Sequence, residues 1–435
     1  MKLKFSIIIL LSSMIGVKSN AQDTLAVGDA VKIALENNYD IRIASNDVRI
    51  DQQNVSYGNA GLLPRVDAVL DQNNSIQNTS QTRADGTVVA LDDARNHNLN
   101  YGVELNWTVF DGFRMFARLE QLRELQKLGE SELQTVVLTR VSDVMTVYFD
   151  LVQQQQQLQA LDTAIVISRQ RVETAQNRFE IGKASKLEVL NAQVDLNSDT
   201  TSLLRQQELY ANTKTQLNQL MARDVQTQFA VVRDLVVDGG LLLPDLTTLA
   251  EKQNPLLQSQ IINRRVAELQ LRQVRAARYP TINVTTGYNF AESQSSLGFT
   301  SESYARGLNY GFGATLNIFN GFLQNRNERI AKIAIENSGI AIEQQTSILR
   351  SQLTSTYQTY LTNIQLTELE RNNEILAKQN LDITLEKYRI GTIATLEFRT
   401  AQLNYINARV RSSNAQYEAK LSEIQLKELA GTLTF

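Results

Sequence analysis

Residues able to do chemistry are few and scattered in this 435-residue chain. His97, the one histidine, lies in "ARNHNLN". With no cysteine and no second histidine it makes a poor metal ligand, because such sites draw several nitrogen or sulfur donors together. The carboxylates Asp92 and Asp93 in "ALDDAR" belong to a polar loop and need no catalytic reading. There is no GxxxxGK[ST] phosphate loop, and nowhere do a nucleophile, a base and an orienting group gather. The glutamine run Gln153–Gln157, between Leu151 and Leu158, reads as the solvated face of a helix. The expectation is a protein that is no enzyme and carries no metal and no cofactor.

The first residues, "MKLKFSIIIL LSSMIGVKSNA", place two lysines before an apolar run, Phe5 to Val17, and end in the small residues Ser19 and Ala21. That is the pattern of a secretory signal peptide, residues 1–21. The run is shorter than the about 20 residues a membrane-spanning helix needs, and no later segment is long and apolar enough. Export permits disulfides, yet without cysteine the chain has neither a disulfide nor a site for N-terminal lipid attachment. Formal net charge is −3, and loss of Lys2, Lys4 and Lys18 with the leader makes it −6, which disfavours nucleic acid as a partner. Four prolines and abundant glutamine and asparagine suit long, wet helices.

The chain repeats itself. "RFEIGKASKLEVLNAQ" (Arg178–Gln193) returns 209 residues later as "KYRIGTIATLEFRTAQ" (Lys387–Gln402), and "VFDGF" (Val109–Phe113) as "IFNGF" (Ile318–Phe322) at the same offset. Asn38-Tyr39 pairs with Asn254-Pro255, and "LLPRV" with "RYPTI", at 216. Two structural repeats, 22–227 and 244–435, joined by a linker at 228–243, account for these matches. Each repeat reads in one order. A helical run of roughly 35 residues ends before Pro64 or Pro280; two strands follow, then a helix of about 66 residues, a glycine turn and a returning helix of about 35. About 66 residues make roughly 100 Å of helix, a coiled-coil length. Val137, Val144, Leu151, Leu158, Ile165, Val172 and Phe179 form an unbroken column of sevens, while the second copy's seam is clearest at Leu349, Leu353, Tyr360 and Ile364. Gly182 and Gly391 sit where the chain must reverse, and a glycine takes the left-handed conformation that ends a helix at little cost.

In "NLNYGVELNWTVF" Leu99, Tyr101, Val103, Leu105, Trp107 and Val109 alternate with polar or small residues, and in the second copy Leu308, Tyr310, Phe312, Ala314, Leu316 and Ile318 do the same. Such two-faced strands suit an outer-membrane barrel, whose strands span with about 9–11 residues, lipid on one face and lumen on the other. Leu99, Tyr101, Trp107, Tyr310 and Phe312 are the lipid-facing candidates, and the aromatic ones also suit an interfacial girdle. Four strands cannot close a barrel, so the chain must oligomerise; three copies give 12 strands.

This order of elements, doubled behind a leader, resembles the TolC-like outer-membrane efflux proteins. "LAVGDAVKIALENNYD" (Leu25–Asp40) looks like the family's usual start, and "RFEIG" and "KYRIG" like its helix-tip turns. The resemblance implies a mainly α protein of long antiparallel coiled coils with four transmembrane strands per chain. It implies a homotrimer forming a barrel and a helical tunnel, working with a periplasmic adaptor and an inner-membrane transporter to pass substrates outward. By motif position Tyr388 matches the family's gating tyrosine and Glu188 the acidic residue of the partner turn. The family's basic member falls at Ile393, so Arg389 or Lys186 must substitute for it, or hydrogen bonding and packing alone close the tip. The rival class is a periplasmic structural coiled coil or adaptor that never enters a membrane.

Overall fold

The computed structural model describes residues 24–296 and 300–433; the leader lies outside the described residues. Strand β1 (Thr24–Leu25) leads into helices α1 (Val27–Asn37), α2 (Tyr39–Asn54) and α3 (Tyr57–Ala60). Strands β2 (Arg65–Thr82) and β3 (Val88–Asp111) form a hairpin, followed by the long helix α4 (Arg114–Glu180) and its return α5 (Lys186–Leu220). After the short β4 (Ala230–Val231) the order repeats as α6 (Leu243–Gln253), α7 (Pro255–Ala276), β5 (Thr281–Ser295), β6 (Glu302–Thr315), α8 (Leu323–Arg389) and α9 (Thr395–Leu429).

The expected single helix before each strand pair is broken, and the repeated asparagine explains why. Asn38 leaves the helical region between α1 and α2, and its Oδ1 accepts from the backbone N–H groups of Asp40 and Ile41. Its Nδ2 donates to the carbonyl of Leu220 at 2.8 Å, which ties the end of α5 to the cap. Asn254 does the same between α6 and α7, capping Leu257 and donating to the carbonyl of Leu429 at 3.0 Å. An N-cap that also binds the last carbonyl of a returning helix satisfies orphan groups at two helix ends at once.

Helices α4 and α8 are 67 residues each, and α5 and α9 are 35 each, so each return covers about half of its long partner. The remaining half of α4 is covered by α2 and α7, and α9 also lies against α4, which joins the two repeats. From the column of sevens, Val144, Leu151 and Ile165 are buried, whereas Phe179 is exposed at the tip. The main core gathers Val144, Tyr148, Leu151 and Val152 of α4 with Leu217, Phe229 and Ile424. The glutamine run is not a solvated face: Gln154 is buried, and Gln153 and Gln157 both donate to Asn414 Oδ1, at 2.5 and 2.8 Å. Packing of α9 onto α4, invisible to local periodicity, makes the difference.

The four long strands form one antiparallel sheet in the order β2-β3-β5-β6. Register places Leu70, Tyr101 and Phe290 side by side, then Val103, Tyr288 and Leu308, then Trp107, Val284 and Phe312. One face is thus largely apolar, although Arg306 on β6 lies opposite Phe290 and Gln72 and Glu292 flank Leu99 on it. The other aligns Asp67, Glu104, Gly287 and Asn309, then Asp71, Asn100, Ala291 and Ala305. Among the described residues, both outer edges, on β2 and β6, are unpaired.

Strands run further than their apolar alternation. β3 has 24 residues and takes in His97, whose Nδ1 lies 2.5 Å from Asn74 Oδ1 on β2, as well as Asp92 and Asp93, expected in a loop. Backbone ladder bonds continue where neither face is apolar, so alternation underestimates the length. At the other end, β6 stops at Thr315, leaving Leu316 and Ile318 beyond it. A register shift between Thr108 and Phe110 brings Phe110 opposite Ile282, on the apolar face, in place of Val109. Two turns then launch the long helices. Phe113 and Phe322 cap α4 and α8 with φ of 66° and 63°. That conformation costs a residue with a Cβ about 1–2 kcal/mol.

Tyr148 pins the start of the chain to the linker. Its hydroxyl donates to the Leu25 carbonyl at 2.8 Å and accepts from Val232 N–H at 3.1 Å, beside the parallel pairing of β1 with β4. Tyr148→Phe is expected to strand the buried carbonyl and destabilise this region by about 1–2 kcal/mol. A lowered thermal midpoint with unchanged helix content would show it.

Candidate functional site

Each helix pair ends in a glycine turn. Gly182 (φ 73°) follows α4; the N–H groups of Lys183 and Ala184 both bond back to the Arg178 carbonyl, and Ser185 caps α5 through the Glu188 N–H. Gly391 (φ 80°) follows α8, with Thr392 N–H bonded to the Lys387 carbonyl at 3.0 Å. Glu188 stands in the first turn of α5, where the helix dipole favours a carboxylate.

Around Glu188 the two turns meet. Its Oε1 accepts from the Thr395 hydroxyl at 2.5 Å and from the Tyr388 hydroxyl at 3.5 Å. Arg178 Nη1 lies 3.8 Å from the same oxygen, Nη2 donates to the Tyr388 carbonyl at 2.7 Å, and Cζ sits 4.8 Å from the centre of the Tyr388 ring. That ring is 1 % exposed and stacks on Phe398 at 5.0 Å. Burial pushes the phenol above its ordinary pKa; the Thr395 hydrogen bond and the charges of Arg178 and Arg171 pull it back, while Glu188 adds to the rise.

Glu188 and Tyr388 thus lie together, 200 residues apart in sequence. The cation beside them is Arg178. Lys186 instead covers the Phe179 ring at 5.4 Å, and Arg389 bonds to Glu386 at 2.8 Å. Ile393 packs against the cluster of Leu381, Tyr388, Phe398 and Tyr405. Arg178 belongs to the repeated motif itself and reaches Glu188 across the α4–α5 turn, while its bond to the Tyr388 carbonyl forms only because α4 and α8 end side by side.

A second polar layer lies behind the tip. Arg399 of α9 holds Asp199 of α5 through both terminal nitrogens, each at 2.9 Å, with Asp195 at 3.7 Å. Arg171, 1 % exposed, pairs with Asp195, while Ser168 donates to Asp199 at 2.5 Å and receives from Gln402 at 2.9 Å. Burial works against the Arg399 charge, but the hydrogen bond and charge of Asp199, aided by Asp195, raise its pKa. Sequence reasoning missed this layer. Its only local signal is opposite charges near the helix ends. Among the described residues, no group of histidine, cysteine, aspartate and glutamate could hold a metal ion.

Two-faced strands joined to helices of 67 residues, each paired with a return of 35, and a charge-linked tip have the layout of a membrane channel. The chain belongs to the outer membrane efflux protein family, which it matches over residues 30–223 and 246–432. Outer membrane protein TolC of Escherichia coli is 22% identical over 350 residues, covering 76% of this chain and 69% of that protein. The probable outer membrane lipoprotein SilC of Salmonella typhimurium is 22% identical, covering 90% of this chain and 83% of that protein. In structure, the Campylobacter jejuni CmeC outer membrane channel has a TM-score of 0.75 at 18% identity, covering 93% of this chain and 85% of that one. The outer-membrane channel OprN has a TM-score of 0.75 at 15% identity, covering 93% and 90%. The protein is an outer-membrane channel component of efflux systems, extending into the periplasm, and the soluble-scaffold reading falls.

Both tip glycines have left-handed backbone, so alanine at either costs about 1–2 kcal/mol. Only at Gly391 would the added Cβ also meet Arg178 Nη2, at 2.9 Å, whereas at Gly182 it meets nothing. Gly391→Ala is therefore expected to loosen the tip more than Gly182→Ala, read as faster cleavage at the turns in limited proteolysis.

Proposed function

We propose that three copies of this chain, each contributing the repeats 22–227 and 244–435, close a 12-stranded barrel continuous with a helical tunnel. Substrates delivered by an inner-membrane transporter and a periplasmic adaptor pass through it outward, without energy input from the channel. The in-register division of the four-stranded sheet into an apolar and a polar face carries this reading, because its unpaired edges on β2 and β6 cannot face hydrocarbon. Leu99, Tyr101, Trp107, Tyr310 and Phe312 then face lipid. Asp67, Asp71 and Glu104 share the lumenal face with Arg65. Light scattering on the mature protein, corrected for detergent, is expected to give three chains that stay soluble only with detergent. A monomer or dimer soluble without it would overturn the barrel.

The tip acts as the gate. Glu188 is the shared acceptor, Tyr388 and Thr395 reach it from the second repeat, and Arg178 supplies the cation that Ile393 does not. Loss of a charge-assisted contact of roughly 1.5 kcal/mol changes an equilibrium about tenfold. Arg178→Ala, and the double substitution Glu188→Ala with Tyr388→Phe, are each expected to raise the open-to-closed ratio by about that factor in planar-bilayer recordings. Unchanged conductance in both would remove these residues from gating.

A further inference from the structure

Three arginines at the tip, Arg171, Arg178 and Arg399, each face a carboxylate, but Arg171 is only half held. It is 1 % exposed, and its Nη2 is bound to Asp195. Among the described residues its Nε and Nη1 are closed off from solvent without a hydrogen-bond partner. One turn away on either side, the same face of α4 packs apolar groups. Ile167 lies against the cluster of Leu381, Tyr388, Phe398 and Tyr405, and Ala175 is buried with Val189 and Ala192. Two donors that give up water and gain no acceptor weaken the state that buries them. The helical plan does not ask for this charge. At the matching positions 209 residues on, the second repeat carries Asn380 and Asn404 where the first has Arg171 and Asp195, and α8 still packs along α9.

We propose that Arg171 is a counterweight to the latch at the tip, a cation stored in the closed state that is hydrated when the two repeats part and so biases the channel toward opening. The inference rests on the gate reading above. What covers Arg171 comes largely from the second repeat. It stands between two recesses, one of 590 Å³ walled also by Thr395 and Arg399, the other of 240 Å³ walled also by Leu385, Tyr388 and Phe398. Tyr388 and Thr395 are the residues that reach Glu188, so releasing the latch and uncovering Arg171 are one movement. Loss of the guanidinium does not strand its partner, because Asp195 is 32 % exposed and has Arg399 at 3.7 Å. The usual penalty for breaking a buried ion pair, an isolated charge left behind, is therefore absent.

Planar-bilayer recordings of the full chain test the idea by sign. Arg171→Met, which keeps most of the bulk and removes the charge, is expected to lower the open-to-closed ratio about tenfold, opposite to Arg178→Ala. Asp195→Asn leaves the buried guanidinium less compensated and should raise the ratio, and adding Arg171→Met should abolish that rise. A ratio raised or unchanged in Arg171→Met, or a rise in Asp195→Asn that persists in the double variant, would overturn the counterweight while Arg178→Ala still raises the ratio and the gate stands. Unchanged ratios in Arg171→Met, in Arg178→Ala and in Glu188→Ala with Tyr388→Phe would overturn both. Phenylglyoxal, which modifies solvent-exposed guanidinium groups, gives a second readout that leaves Arg171 in place. Peptide mass spectrometry of the detergent-solubilised chain should find Arg171 modified faster in Glu188→Ala with Tyr388→Phe than in the native protein. Equal rates, where that double substitution raises the open-to-closed ratio, would overturn the counterweight.

Discussion

A backbone N–H or C=O left unpaired in hydrocarbon costs several kcal/mol, and the molecule is organised around that constraint. Among the described residues, its four long strands pair with one another but leave β2 and β6 open on their outer sides. The sheet is complete only when another sheet supplies the missing ladder. Both faces of the sheet already carry the chemistry of a wall between lipid and water, with aromatic and aliphatic rows on one side and Asp67, Glu104 and Asn309 on the other.

The helices meet a different demand. A helix of 67 residues has far more surface than any one neighbour covers, so α5, α2, α7 and α9 share the length of α4. Asn38 and Asn254 weld the joints in this arrangement, each capping one helix while holding the last carbonyl of another. At the far end charges join apolar packing. Arg178, Glu188 and Tyr388 tie the two turns together, and Arg399 with Asp199 ties α9 to α5 behind them. Contacts made of directional hydrogen bonds and paired charges break more readily than an apolar seam of equal area, because water can replace them.

The repeats are alike in plan and unlike at the tip. Arg178 and Phe179 occupy the positions that Lys387 and Tyr388 hold in the second copy. Phe179 is exposed and partnered by Lys186, whereas Tyr388 is buried against Phe398 and touched by Arg178. One repeat thus provides the carboxylate and the cation, the other the phenol and the Thr395 hydroxyl. A duplicated scaffold has become a two-sided joint.

The sequence by itself determined the order of the long elements, the long helices to within a residue or two, the glycine turns and the two-faced strands. All of these follow from periodicity and backbone preference, which act within a few neighbouring residues. It also brought out the doubled asparagine, though not its task. Tertiary structure decided what depends on which distant segments meet: that α9 meets Gln153 and Gln157 through Asn414, that β3 runs on through Asp92 and His97, and that Phe110 rather than Val109 completes the apolar face. It likewise decided that Arg178, facing Glu188 across the α4–α5 turn, also holds the Tyr388 carbonyl, since the end of α4 lies beside the end of α8. Such choices are set by geometry between elements, and no spacing along the chain encodes them.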